Sequence, residues 1–411
     1  MPSDLQMKKY RQCNTCVMDT SDPDIIFYDD GTCSHCRHAS RFASGSSNRY
    51  CLTDIVSYIS SCNSSKPNRN SSFDVLIGLS GGVDSTWLLH LLAGSGLRIY
   101  VHHVDTCWNS PEATANILGI CAKLKLPIST HVVDWDLMRR LQVAFFYAGV
   151  INQDIPQDIA IFSSQVQACL QNNIPIIASG ANNTTESILP PAWGHHWHDK
   201  ANLAAIYAHF HGLPLRDFPY CTFLDLVKYR LNMHDSFQAI NVLDLLPYNK
   251  QEAIALLRDQ YDYLPYRHKH GESLWTLYYQ AVYLPSVFKI DKRRAHLSNL
   301  IVNGDLARDE ALAQLSQPTL PREELIEICN LVSLKLGIPL EHALNPGAYV
   351  LRTSHQSYTI TSPIINEYTA LLAVSAPALR AEILSRYITA YKQAAGSAFL
   401  SGEAVYQQLT I

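Results

Sequence analysis

Two groups of residues in this 411-residue chain have types and spacings suited to chemistry. The first is Ser80, Gly81, Gly82, Val83, Asp84, Ser85 and Thr86, which follows the apolar run FDVLIGL and leads into the helical pattern TWLLHLLAG. Two glycines let backbone come close to a ligand, and a helix start offers free N–H groups and the positive end of a dipole to an anion. Ser80, Ser85 and Thr86 add hydroxyl donors. No lysine stands where the G-x-x-x-x-G-K-[ST] loop requires one, so this is a phosphate cradle of another kind. The plainer alternative is a tight strand-to-helix turn with Asp84 as its cap.

The second group is Cys13, Cys16, Cys33 and Cys36, two C-x2-C pairs sixteen residues apart. That spacing fits tetrahedral zinc, and four thiolates close the coordination sphere, which favours a structural metal over a catalytic one. His35 and His38 lie near enough to replace a ligand, but two complete pairs make them unnecessary. The other seven cysteines are scattered and read as small buried hydrophobes. Trp193, Gly194, His195, His196, Trp197 and His198 form an imidazole-rich loop without ligand spacing, read as substrate-lining or surface rather than metal-binding.

The elements that position these groups follow from pattern. Residues 1–50 are polar and turn-rich, a zinc-ribbon module that needs its metal staple. Residues 51–72 hold a short helix near Leu52 to Ile59 and a Ser/Asn-rich linker from Ser61 to Ser72. From Phe73 to about residue 240, short apolar runs alternate with helical periods: FDVLIGL, RIYVHHVD, STHVVD and IPIIASG as strands, with helices between them. The fold class is α/β, a doubly wound parallel sheet whose ligands lie beyond the carboxyl ends of the strands. Residues 241–345 are a helical substrate or partner region, and 346–411 a C-terminal extension without a chemical motif.

Placed after its strand, SGGVDST resembles the loop of the PP-loop ATP pyrophosphatases (adenine nucleotide alpha-hydrolase-like), which adenylate a substrate oxygen and release pyrophosphate. That resemblance implies that Ser80 to Ser85 hold pyrophosphate, that Asp84 supports the loop or its Mg2+, and that Asp105, after the second strand, lies by the adenosine. Gly180, in SGANNTTES after the fourth strand, allows close ligand approach, and Glu186 is the candidate second magnesium carboxylate.

The chain further resembles the N-acetyl sugar amidotransferases of bacterial surface-polysaccharide (lipopolysaccharide, O-antigen) biosynthesis. The resemblance extends to about residue 320 and is carried by CNTCVMDTSDPDIIFYDDGTCSHC, SGGVDST, TESILPPAWG, HKHGESLWTLYYQ and YLPSVFKIDKRRAHLSNLIVNGDLARDEAL. It implies ATP and Mg2+ as cofactors beside structural Zn2+. The implied reaction adenylates an acetamido oxygen and lets ammonia displace AMP. The implied partners are a nucleotide-linked N-acetyl sugar and a separate glutaminase subunit, with a cyclase-like companion. Lys269, His270, Glu272, Lys292, Arg293 and Arg294 lie in the matching stretch and are candidates for the sugar's diphosphate, the alternative being a solvated charged face. DTCWNS departs from the pattern, with Thr106 and Cys107 in place of Asn and Gly.

A formal net charge of −4 gives no general attraction to nucleic acid. No stretch has the length of a spanning helix or the core of a signal peptide, so the expected location is the cytoplasm. Two rival readings are a tRNA-thiolating PP-loop enzyme and a non-catalytic zinc-ribbon binding protein. The first needs a reactive cysteine pair beyond the loop, where no C-x-x-C occurs, and the second predicts a broken loop.

Overall fold

The structure is a computed structural model of the chain. It describes residues 10–43, 50–64, 71–182, 186–195, 199–219 and 238–358. At its centre five parallel strands, β1 (Val75–Gly78), β2 (Ile99–Asp105), β3 (Ile128–Val132), β4 (Ile176–Ser179) and β5 (Gln238–Asn241), lie in the order β3-β2-β1-β4-β5. The order reverses between β1 and β4. A crevice opens at such a switch point, outside the carboxyl ends of the strands.

The helices are α1 (Ser34–Ala43), α2 (Leu52–Ser64), α3 (Val83–Ala93), α4 (Pro111–Leu124), α5 (Trp135–Ala148), α6 (Ile155–Asn172) and α7 (Lys200–His211). Alternation along β1 sends its side chains to opposite faces. Val75 and Ile77 pack with Ile55 and Ile59 of α2 and Leu88, Leu89 and Leu92 of α3, whereas Leu76 joins Val166 and Cys169 of α6. Each fully buried leucine here contributes roughly 1.5–3 kcal/mol by leaving water. The helix read in residues 51–72 is present, and the stretch read as a linker from Ser61 begins inside it. The helix expected to stop near Ile59 runs on to Ser64, because Ile55 and Ile59, one turn apart, are held in the sheet core.

Beyond the sheet come α8 (Lys250–Tyr261), a continuous helical run α9 made of Leu274–Tyr278, a π turn over Tyr279–Tyr283 and Leu284–Phe288, then α10 (Arg293–Asn303), α11 (Arg308–Ser316), α12 (Arg322–Leu336) and α13 (Leu340–Leu344). Pro285 has no N–H to give to the carbonyl four residues back. The Thr319 hydroxyl donates to that carbonyl, Ala281 O, at 2.7 Å. Start of the run is stitched to the end of β2: Ser110 N–H donates to Glu272 O (2.9 Å) and Leu274 N–H to Trp108 O (2.9 Å). Among the described residues no helix is long and apolar enough to cross a membrane.

The four-cysteine module docks on α10 and α11. Arg308 donates to the carbonyls of Cys16 (3.0 Å) and Cys13 (2.9 Å), Arg294 donates to Val17 O (2.9 Å) and pairs with Asp19 (3.0 Å), and Val17 N–H donates to Ser298 Oγ (3.2 Å). After α13, residues 351–358 lie on α5 through Leu351 N–H to Tyr147 O (3.0 Å) and Thr353 N–H to Ala148 O (3.2 Å). The apolar stripe read in ALRAEILSRYITAYKQAA lies outside the described residues.

Candidate functional site

Helix α3 starts at Val83 with Gly82 as its N-cap, and no side chain caps it. Asp84 is thus the second residue of the helix and not the cap, which leaves first-turn N–H groups to a ligand. Gly81 sits at φ +84°, where a Cβ would lie 2.6 Å from Ala113 O, so only glycine fits. The loop's hydroxyls are turned inward. Ser85 Oγ donates to Gly82 O (3.2 Å) and accepts from Ser80 N–H (3.2 Å), and the fully buried Thr86 donates to Gly82 O at 2.8 Å. Ser80 Oγ is held the same way, accepting from Gly82 N–H (3.3 Å) and lying 3.1 Å from Ser85 Oγ, so the donors left to a ligand are chiefly backbone N–H groups.

Residues far away in sequence hold this loop, and sequence reasoning missed them. The Tyr266 hydroxyl (2.8 Å) and Asn116 Nδ2 (3.2 Å) both donate to Gly81 O, and the Tyr248 hydroxyl donates to Asp84 Oδ1. Gly180, at the end of β4, meets the start of α3: a Cβ there would lie 2.8 Å from Ser85 N and 2.9 Å from Asp84 C. The close approach expected at Gly180 is made by protein backbone.

Three carboxyl groups converge here. Burial pushes the Asp84 carboxyl above its ordinary range, and the Tyr248 bond and Lys250 only partly offset this. For Glu186, burial acts upward as well, but Lys269, at 3.4 Å from its Oε1, together with His270 and Lys250 brings it below the usual value. Glu272 behaves likewise, burial being overcome by His270, whose Nδ1 is 3.5 Å from Oε1. The Glu272 carboxyl also comes within 3.7 Å of the position a Cβ on Gly82 would take. Carboxylates ringing an anion cradle repel a phosphate unless a divalent cation lies between them. One or two carboxylates beside such a loop suit Mg2+, a cation that takes its remaining ligands from phosphate oxygens and water.

One cavity adjoins the loop and a second, larger one borders the first. The smaller, about 300 Å³, is lined by Ser80, Thr106, Asn109, Gln157, Glu272 and others, and by His102, whose buried Nδ1 has no partner among the described residues. The larger, about 620 Å³, is lined by Glu186, Lys269, Lys292, Arg293, His296 and Asn299 among others. His270 and Gln280 border both. Asp105, the last residue of β2, is not among the residues lining either cavity; its Oδ1 accepts from Cys107 N–H (2.7 Å), and Cys107 sits at φ 67°.

Of the candidates for a sugar diphosphate, Lys269, His270 and Lys292 face the larger cavity. Burial holds the Lys292 ammonium below its ordinary range, Asp154 opposing. Arg293 lines the same cavity, yet its guanidinium is taken by Asp291 (2.7 Å) and by the carbonyls of Gln314, Gln317 and Pro318. Arg294 is engaged by the cysteine module. His195 pairs with Asp199 (2.8 Å) and stacks on His355 at 4.0 Å, away from both cavities, while residues 196–198 lie outside the described residues.

The sulfur atoms of Cys13, Cys16, Cys33 and Cys36 all lie within 4.8 Å of one another, with 3.7 Å between Cys13 and Cys36 and between Cys16 and Cys33. Thr15 and Cys16 N–H point at Cys13 Sγ (3.4 and 3.5 Å) and Met18 N–H at Cys16 Sγ (3.4 Å), donors suited to thiolates rather than thiols. Bonds from the other three cysteines hold Cys13 well below the usual thiol range. Such a soft, closed donor set fits a tetrahedral metal. His35 is not part of it and bonds Asp22 at 2.6 Å. Of the remaining cysteines, Cys121, Cys169 and Cys329 are buried as expected, but Cys51 is exposed, Cys62 and Cys107 are half-buried, and Cys221 lies outside the described residues.

Among solved structures the chain is similar to the NH3-dependent NAD synthetase of Campylobacter jejuni (17% identity over 52% of this chain and 94% of that one, TM-score 0.27). It is also similar to the NMN synthetase of Francisella tularensis (14%, 52% and 94%, TM-score 0.28). A third is the U34-tRNA thiolase NcsA of Methanococcus maripaludis, solved with its 4Fe-4S cluster (14%, 74% and 88%, TM-score 0.29). The chain has no match among curated proteins. Residues 272–344, the segment that sets Glu272 against the Ser80–Thr86 loop and supplies most of the larger cavity, match the model of the C-terminal domain of the WbpG-like lipopolysaccharide biosynthesis proteins.

Proposed function

We propose that the chain is an ATP-dependent amidotransferase of the PP-loop type that converts the acetamido group of a nucleotide-linked N-acetyl sugar to an acetamidino group. The observation that carries the reading is the placement of an uncapped, glycine-lined helix start at the switch point of the sheet, beside Asp84, Glu186 and Glu272, with Ser80 lining a 300 Å³ cavity that shares His270 and Gln280 with a 620 Å³ cavity lined mostly by residues 272–344, which match the lipopolysaccharide-biosynthesis domain. In this reading the loop backbone from Ser80 to Ser85 grips the β and γ phosphates. Asp84 and Glu186 would hold Mg2+, which offsets phosphate charge when bound. Lys269, His270 and Lys292 face the sugar's diphosphate.

The acetamido oxygen attacks the α phosphorus, forming a P–O bond as the bond to pyrophosphate breaks. Ammonia then adds to the amide carbon and loses a proton, and the C–O bond breaks so that AMP leaves with the oxygen. An amide oxygen is otherwise a poor leaving group, so adenylation supplies the driving force. Ammonia comes from a separate glutaminase subunit. The four-cysteine module holds a structural Zn2+.

The test is incubation with ATP, MgCl2, ammonium chloride and a panel of nucleotide-linked N-acetyl sugars, followed by mass spectrometry. Exchange of one acetamido oxygen for NH, with ammonium but not with glutamine alone, supports the reading. Turnover of glutamine by the isolated chain overturns the separate glutaminase, and thiolation or amidation of tRNA in place of a sugar overturns the substrate class.

A further inference from the structure

Helix α10 presents two faces with different partners. Residues Arg294 and Ser298, four apart, meet the cysteine module. His296 and Asn299, three apart, face the larger cavity. There the side-chain oxygen of Asn299 accepts two bonds from the residues just after Glu186, from Ser187 Oγ at 2.6 Å and from Ile188 N–H at 3.0 Å. An N–H can only donate, so the oxygen and not the nitrogen of the amide must face the loop. Its nitrogen is fixed in the other direction, donating to Ala295 O at 3.1 Å. His296 Nδ1 lies 3.4 Å from Lys269 Nζ, and Lys269 lies 3.4 Å from Glu186.

The Glu186 side chain is 42% exposed and its carboxylate pairs with Lys269 at 3.4 Å. Asn299 is 2% exposed and Ser298 is fully buried, so the part that orients it is rigid. We propose that Asn299 is a positioning residue that sets the Glu186–Lys269 pair at the cavity mouth, on a helix whose opposite side is clamped by the four-cysteine module. The catalytic meaning of that pair rests on the function proposed above, but its geometry does not.

The experiment compares the full chain with Asn299→Leu, Asn299→Asp, Ser187→Ala and Glu186→Gln. One readout needs no catalysis: the rate at which an amine-acylating reagent labels Lys269, followed by peptide mass spectrometry. Asn299→Leu should raise that rate to the level of Glu186→Gln, Ser187→Ala should raise it part of the way, and Asn299→Asp, which keeps the acceptor, should stay near the parent. The second readout is the Mg2+ concentration for half-maximal pyrophosphate release, expected to rise about tenfold in Asn299→Leu, as for loss of an outer-shell partner. The Asn299→Leu/Glu186→Gln pair should be no worse than Glu186→Gln alone.

Parent-like labelling in folded Asn299→Leu and in Ser187→Ala overturns the proposal, as does an additive loss in the double variant. Should Asn299→Leu fail to fold, Ser187→Ala decides alone. Labelling that responds while Mg2+ dependence does not would support the positioning role and remove the magnesium role of Glu186.

Discussion

Replacing Gly180 with alanine places a methyl group against the start of α3. The new Cβ would sit 2.8 Å from Ser85 N, whereas ordinary contact begins at 3.4 Å, so relief needs a displacement of 3.4 − 2.8, about 0.6 Å. The atoms it meets are backbone, of Ser85 and Asp84, and backbone cannot swing aside as a long side chain does. Overpacking of this kind costs about 1–3 kcal/mol. At about 2–4 °C per kcal/mol for a domain of this size, a 2 kcal/mol cost lowers Tm by about 4–8 °C.

The larger effect falls on chemistry. In the proposed function these groups hold the reacting phosphates, where a misplacement of about 1 Å costs about 100-fold in rate, so a shift of about 0.6 Å should cost about tenfold. The assay is pyrophosphate release under saturating ATP beside a thermal melt. Gly94→Ala is the control, since Gly94 has no atom within 4 Å of its would-be Cβ and an ordinary φ of −87°, and it should change stability by less than about 0.5 kcal/mol. A Gly180→Ala protein with the parent's melt and turnover would refute the claim that β4 and the phosphate loop are locked together.

Asp84→Asn should abolish pyrophosphate release and leave the melt within a few degrees; normal turnover would remove Asp84 from the mechanism. Tyr248→Phe should shift the acid limb of the kcat/KM profile to higher pH. The sign follows from Asp84 acting as the carboxylate: burial raises its pKa, the Tyr248 bond lowers it, and without that bond activity disappears sooner as pH falls. An unmoved limb would contradict this. Lys292→Gln should raise KM for the nucleotide sugar, whereas Arg293→Gln should lower Tm by several degrees with little change in KM, because its guanidinium is already taken by Asp291 and three carbonyls. Cys13→Ser, or a strong chelator, should release zinc and lower Tm, measured by metal analysis and calorimetry; an unchanged melt would argue against a structural metal.

What the sequence makes legible is what is local. SGGVDS, the proposed phosphate loop, is complete within six residues, and the two C-x2-C pairs that could hold a metal lie within twenty-four. The first four strands follow from their apolar runs, and α5 falls at Trp135–Ala148 as its period predicts. The fifth strand, Gln238–Asn241, is short, polar and at the sheet edge, so it has no apolar signature. The clamp on Gly81 and Asp84 comes from Asn116, Tyr248 and Tyr266, and nothing in the local pattern around them points to the loop. Likewise KIDKRRAH shows six residues of mixed charge and polarity but not that Arg293 and Arg294 are committed while Lys292 faces the cavity. Partner choice is a tertiary property, set by what α10 packs against on each side.

The central claim is that the substrate's own oxygen is carried away on AMP. A nucleotide sugar labelled with 18O in its acetamido carbonyl, turned over with ATP and ammonium, should give AMP carrying the label, with unlabelled pyrophosphate in equal amount. Label retained in the sugar, or nucleotide appearing as ADP with orthophosphate, would contradict the account.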